Sequence, residues 1–142
     1  MSSLAIGQVL SLRIKIGYFG VFSEKHPYLI LDINDQDGTV EVGQLHSLEG
    51  KPFEAINKEN KVIFNSNPKE TVIDKDSFIQ KNNTILLENY DGIEKYRRQE
   101  DVLSKNKLES VIAAYRKYHD ENEIPEDRIV YLDRETIENL NS

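Results

Sequence analysis

Two of the chain's three histidines lie at the ends of neighbouring predicted strands. His26 stands just before the apolar run of residues 28–31, and His46 follows the alternating run of residues 39–45. The turn-forming sequence at residues 35–38 predicts an antiparallel hairpin, which returns the end of the second strand to the start of the first. We therefore expect the two imidazoles to face each other across one site.

A facing pair of histidines is suited to general acid and base catalysis. With an ordinary pKa of about 6.5, each ring is partly present in both protonation states near neutral pH. Lys25 precedes His26, Ser47 and Lys51 follow His46, and all three could bind an anionic group. The sequence does not decide which ring is the base. An alternative is that His26 fills a turn and that Ser47 ends a strand by bonding backbone.

The elements that must position these residues are short strands followed by helices. Alternating or continuous apolar runs separated by Gly and Asn turns favour a small, strongly bent antiparallel β-barrel of SH3-like type. The helical part has a main helix that begins after Ser104 and a final one after Asp133, giving an α+β fold. Strands are predicted at residues 9–16, 28–33, 39–45, 62–64, 71–73, 77–80, 84–87 and 129–132, and a charged helical segment at residues 93–99.

Length and composition limit the class of protein. A chain of 142 residues is most simply one domain. We divide it into a barrel with the main helix at residues 1–119 and an acidic extension of the same domain at residues 120–142. No apolar run reaches the ~20 residues of a membrane helix and no signal peptide is recognised, so we expect a cytoplasmic protein. Without cysteine and with three scattered histidines, no metal or other cofactor is expected.

The net charge of −7 argues against a broad basic face for duplex nucleic acid. Residues 120–142 carry eight acids and two arginines, a balance of −6, so the remainder is close to neutral. A local basic groove on the main body remains compatible with this pattern. The acidic segment is either a solvated surface or a mimic of a polyanion.

The order of these elements resembles the MazF/PemK family of toxin endoribonucleases. His26-Pro27 opens one apolar strand, His46-Ser47 closes the next, the segment at residues 69–79 follows, and Leu103-Ser104 leads into the helix. The resemblance implies an SH3-like barrel that cleaves single-stranded RNA without metal. It further implies attack by the 2′-hydroxyl to leave a 2′,3′-cyclic phosphate, and inhibition by an antitoxin.

The candidate site departs from the family pattern. His26 replaces the catalytic arginine and His46 the usual threonine, while Ser47 keeps its position. His46-Ser47 followed by Lys51 resembles the RNA-antitoxin (type III) branch, with the ToxN and CptN toxins. The antitoxin could therefore be an RNA or a small protein. We expect a homo-oligomer or an oligomeric antitoxin complex.

Further residues are candidates for holding RNA. Tyr18 and Phe53 could stack unpaired bases, which would let an acidic protein bind single-stranded RNA. Lys25, Lys51 and Lys69 are candidates for binding phosphate or RNA, and Lys95, Arg97 and Arg98 are candidates for holding the RNA backbone or the antitoxin. Each could instead be an ordinary solvated side chain. The alternative function is a non-catalytic SH3-like module that binds a peptide or protein, with the acidic segment contributing to recognition.

Overall fold

The computed structural model describes residues 2–16 and 24–142. Within them the fold is α+β, with two α-helices, seven strands and three short 3₁₀ turns. The strands are β1 (Val9–Leu12), β2 (His26–Asn34), β3 (Thr39–Ser47), β4 (Asn60–Ile63), β5 (Ser77–Gln80), β6 (Thr84–Glu88) and β7 (Ile129–Leu132). The helices are α1 (Lys105–Glu121) and α2 (Arg134–Leu140), and the 3₁₀ turns are Pro52–Ile56, Ile93–Tyr96 and Glu126–Arg128.

The long strand β3 organises the sheet. On one side it pairs with β2, and on the other it pairs first with β6 through Thr39–Val42 and then with β5 through Leu45–Ser47. β1 extends the sheet beyond β2, β4 extends it beyond β5, and β7 runs parallel to β6. Among the described residues the sheet stays open. The expected closure of the antiparallel sheet into a barrel was therefore wrong.

Gly43 lies where β3 exchanges one partner for the other. A Cβ atom at this position would stand 2.8 Å from Cγ1 of Ile79, closer still to its Cδ1 atom, and 3.2 Å from Leu31 Cδ1. The absent side chain thus lets Ile79 of β5 lie directly against the β3 backbone. This contact permits β5 to replace β6 along one strand.

A β-bulge interrupts the pairing of β2 with β3. Ile30 stands opposite Val42, but the next pair is Asp32 with Glu41, so Leu31 is the additional residue. Leu31 and Asp32 both lie on the α1 side. Leu31 joins the core beneath that helix, and Asp32 Oδ2 is 3.9 Å from a guanidinium nitrogen of Arg116. Two successive side chains on one face are typical of a bulge.

Two apolar cores cover the two faces of the sheet. One lies on the Tyr28 and Ile30 side of β2 and includes Ile137 from α2. The other contains Leu29 and Leu31 beneath Val111 and Tyr115 of α1. Because β2 is buried on both faces, its sequence is a nearly continuous apolar run rather than an alternating one.

Two carboxylates attach α1 to the rest of the fold: half-buried Glu41 in β3 and buried Glu70 in the loop after β4. Glu41 accepts hydrogen bonds from the Tyr115 hydroxyl and the Arg116 guanidinium, each at 2.9 Å. Ser104 is the N-cap residue, as predicted, but its amide and hydroxyl both donate to Glu70. Burial raises the pKa of Glu70, yet these bonds and the Lys107 ion pair at 2.9 Å outweigh it and hold that pKa below its usual value.

Some predicted elements differ from the observed ones. Residues 71–73 form no strand, and the helical segment at 93–99 is a 3₁₀ turn of Ile93–Tyr96 followed by extended chain. The backbone of Arg97 bridges Leu10, and the Arg98 amide donates to the Val9 carbonyl at 2.9 Å. Pairing with the outer side of β1 thus overrides the helical pattern. β7 and α2 form as expected, and the Asp133 carboxylate caps α2.

The substitution Gly43→Ala should lower the free energy of unfolding by about 1–3 kcal/mol, because the new methyl group overlaps Ile79. Urea denaturation measures this change. Ile79→Val removes the Cδ1 atom, so Gly43→Ala should cost less in that background than in the wild type. Equal costs in the two backgrounds would contradict the proposed contact.

Candidate functional site

The register of β2 and β3 brings the two predicted histidines together. The ladder ends with Tyr28 opposite Gln44, and the same register continued for two residues along each strand matches His26 with His46. Their ring centroids are 6.1 Å apart with an angle of 54° between the planes. Both side chains are half-buried, on the face that continues from Tyr28 and Ile30. The rings therefore face one another as the hairpin predicts.

The histidines line a cleft of about 260 Å³. The cleft also contains Ser47, Lys51 and Arg98, three further residues that the sequence suggests as site residues. Polar residues that the sequence analysis missed complete it: Asp74, Lys75 and Ser77. Two imidazoles, three cationic side chains, one carboxylate and two hydroxyls thus share one hollow.

His46 has the more protected ring of the pair. It stacks on Phe78, with centroids 5.2 Å apart and planes at 22°, and its Nε2 atom is buried without a hydrogen-bond partner. Burial is the main cause that lowers the pKa of His46; the Gln80 side chain acts in the opposite direction, the charges of Lys51 and His26 lower the pKa further, and Glu54 raises it. The net shift favours the neutral form of His46.

Ser47 is held by local bonds at the cleft edge. Its hydroxyl oxygen accepts a hydrogen bond from the Glu49 amide at 3.1 Å, so its own proton is available for donation. The Glu49 carboxylate pairs with Lys75 at 2.9 Å, which lowers the pKa of Glu49 and raises that of Lys75. The pair is exposed to solvent, so an anion in the cleft could compete for Lys75.

Arg98 reaches the cleft because its backbone runs beside β1. The Arg98 side chain is exposed, whereas Arg97 is half-buried and binds the Ser3 carbonyl at 3.3 Å and the Glu100 carboxylate at 3.6 Å. Adjacent arginines in the predicted cationic cluster therefore have different surroundings. Arg98 belongs to the cleft and Arg97 to the anchoring of the N-terminal segment.

The remaining predicted RNA-binding residues lie outside the cleft. Lys25 borders a separate hollow with Lys95, which is paired with Glu138. Lys69 is exposed in the loop after β4. Phe53 is 80% exposed in the 3₁₀ turn that follows Lys51, close in sequence to the cleft. Tyr18 lies outside the described residues.

The sequence gives only a weak signal for the three cleft residues that were not predicted. Asp74, Lys75 and Ser77 fall within the segment at residues 69–79 that carries the family resemblance, but nothing in their spacing points towards the histidines. They reach the cleft because Ser77 pairs with Ser47 at the start of β5. That cross-strand pairing is a long-range contact.

Comparisons with known proteins give no family for this chain. No protein-family model matches it, and no curated protein matches it. Within residues 2–16 and 24–142, no three His, Cys, Asp or Glu side chains come together as a metal site. The helices in the same part of the chain are too short or too polar to cross a membrane.

The His46 environment predicts its titration. In an NMR titration of the ring protons, His46 should have a midpoint below the usual 6.5. Lys51→Met should raise that midpoint by removing a nearby positive charge, and Glu54→Gln should lower it by removing a negative one. Shifts of the same sign in both variants would contradict this electrostatic arrangement.

Proposed function

We propose that this protein is a metal-independent endoribonuclease that cleaves single-stranded RNA. The observation that carries the proposal is the facing pair of imidazoles, 6.1 Å apart in a cleft that also holds Lys51, Arg98 and Lys75. The cleft thus combines two imidazoles, which are suited to general acid and base catalysis, with cations suited to a phosphodiester. The nucleophile of this reaction, a 2′-hydroxyl group, would come from the RNA itself.

The proposed reaction uses the two histidines in different protonation states. Neutral His46 removes the proton from the 2′-hydroxyl, and the 2′-oxygen forms a bond to phosphorus. The bond from phosphorus to the 5′-oxygen breaks as protonated His26 donates its proton to that oxygen. The products are a 2′,3′-cyclic phosphate and a 5′-hydroxyl. Because Nε2 of His46 is buried, Nδ1 is the nitrogen that we assign to this exchange.

The cations have a separate role in the proposed reaction. Lys51 and Arg98 would bind the non-bridging phosphate oxygens, which gain charge in the transition state. Ser47 would donate its free hydroxyl proton to one of them. Lys51 also depresses the pKa of His46, so it favours the neutral base.

One exposed aromatic side chain beside the cleft supports a single-stranded substrate. Phe53 is exposed enough to stack an unpaired base beside the cleft, which favours single-stranded RNA. We further propose an open, SH3-like variant of the MazF/PemK fold, acting in the cytoplasm as a toxin under control of an antitoxin. The resemblance in strand order and the placement of His26 and His46 support this assignment.

A second candidate function is a non-catalytic binding module. Ile56 and Phe64 are 79% and 57% exposed, and apolar side chains of this kind often mark protein contacts. In that case the histidines would have no effect on RNA.

Cleavage of a mixed-sequence RNA in the presence of a chelator tests the endoribonuclease proposal. We expect His26→Ala and His46→Ala each to reduce the rate by about 10²–10⁴-fold, the usual contribution of a general acid or base. Mass spectrometry of the wild-type products should show 2′,3′-cyclic phosphate ends.

His119→Gln is the matched control, because His119 contacts the Lys81 carbonyl and stacks on Tyr115, outside the cleft. Its rate should stay close to that of the wild type. No cleavage by the wild-type protein, or equal cleavage by all variants, would contradict the proposal.

A further inference from the structure

Two strands lie at open edges of the sheet in the described part of the chain. There β4 pairs only with β5, and β7 only with β6, whereas residues 97–98 cover part of the outer side of β1. An open edge presents backbone N–H and C=O groups that can pair with another strand. β4 and β7 are therefore the edges that could accept one.

A groove separates the β4 edge from α1. Two hollows of about 390 and 480 Å³ lie between these elements, one bordered by residues 61–64 and the other by Asn60 and Lys81. On the helix side the lining residues recur every three or four positions, so they form one face. They include Asn106, Ser110, Ala114, Lys117 and Glu121. We call these two hollows together the β4 groove.

The backbone of β4 presents hydrogen-bonding groups to the groove. The Lys81 amide donates to the Glu59 carbonyl at 2.7 Å, so Glu59, Lys61 and Ile63 direct their peptide groups towards β5. By alternation, the N–H and C=O of Val62 point away from β5. An added strand could pair there.

The β4 groove is basic although the protein is acidic. Five lysines border it, whereas Glu121 is the only acid among its described lining residues. Lys107 is paired with Glu70, and Lys117 lies 4.0 Å from the Glu121 carboxylate. The other three are Lys58, Lys61 and Lys81. Burial and the charges of Lys61 and Lys117 lower the pKa of Lys81, so these ammonium groups lie close enough to repel each other. Phe64, which is 57% exposed, adds an apolar border.

The β7 edge has the complementary character. Ile129 and Tyr131 alternate along the strand and are 49% and 56% exposed. Charged residues flank them on both sides: Glu126, Asp127 and Arg128 before the strand, and Asp133, Arg134 and Glu135 after it. Each flank thus has a net negative charge of one, and β7 is a short apolar edge between two acidic flanks.

We propose that the β7 edge of one copy of this chain docks in the β4 groove of a second copy. The added strand would pair with Val62, place Ile129 and Tyr131 against the apolar border, and bring its acids to the lysines. The histidine cleft has different lining residues and stays open. This self-association does not depend on the proposed nuclease activity.

Sedimentation velocity across a range of protein concentrations tests the docking. The wild type should self-associate with rising concentration, and added salt should weaken the association because exposed ion pairs are screened. Lys61→Glu with Lys117→Glu alters the groove, and Ile129→Ser with Tyr131→Ser alters the β7 edge. Each double variant should raise the dissociation constant by about tenfold or more.

Mixing the two double variants gives the decisive result. Each retains one intact surface, so an equimolar mixture should form a complex that neither forms alone. Lys15→Glu with Lys105→Glu makes the same charge change outside the groove and should associate like the wild type. Circular dichroism checks that every variant is folded.

Several results would overturn the proposal. The proposal would be contradicted if the wild-type protein stayed monomeric at all concentrations. It would also be contradicted if the mixture of the two double variants failed to associate. If the groove variant loses retention of a polyanion such as single-stranded RNA but keeps its self-association, the lysines serve a nucleic acid instead.

Discussion

The pairing of β2 with β3, with its single bulge at Leu31, is the constraint on which the site depends. If the register next to the turn, where Asn34 pairs with Thr39, continued unchanged, His26 would stand opposite Ser47. Successive side chains of a strand alternate between faces, so His26 and His46 would then project from opposite sides of the sheet. The additional residue shifts the register by one and brings both rings to the same face. One extra residue therefore decides whether a shared cleft exists.

Apolar packing and ion pairs stabilise the bulge between β2 and β3. Leu31 lies in the core under α1, and Arg116 spans the bulge by contacting Asp32 at 3.9 Å and Glu41 at 2.9 Å. On the other strand, the absent side chain of Gly43 leaves room for Ile79, so β5 can pair with β3 and place Ser77 and Phe78 at the site. The contacts that stabilise the hairpin are thus the ones that orient His46 on its stacking partner. Stability and site geometry are linked through one strand pair.

Local patterns allowed much of this structure to be predicted. The turn at residues 35–38 with flanking apolar runs predicts the hairpin, and the three- and four-residue spacing predicts α1. The bulge could not be predicted, because a continuous apolar run has the same appearance in either register. Arg97 and Arg98 were indistinguishable because only the backbone path along β1 separates them. The closed barrel and the strand at residues 71–73 were wrong since strand closure and pairing depend on long-range contacts that short-range periodicity does not encode.

Disulfide trapping in this cysteine-free chain tests the register most directly. Directly opposite residues of antiparallel strands have Cα atoms about 4.5–5.5 Å apart, within the range that a disulfide spans. The account predicts that the variant with His26→Cys and His46→Cys forms an intramolecular disulfide under mild oxidation. The variant with His26→Cys and Ser47→Cys, which matches the register without a bulge, should stay reduced. Efficient cross-linking of the second pair and none of the first would contradict the facing histidines and the site built on them.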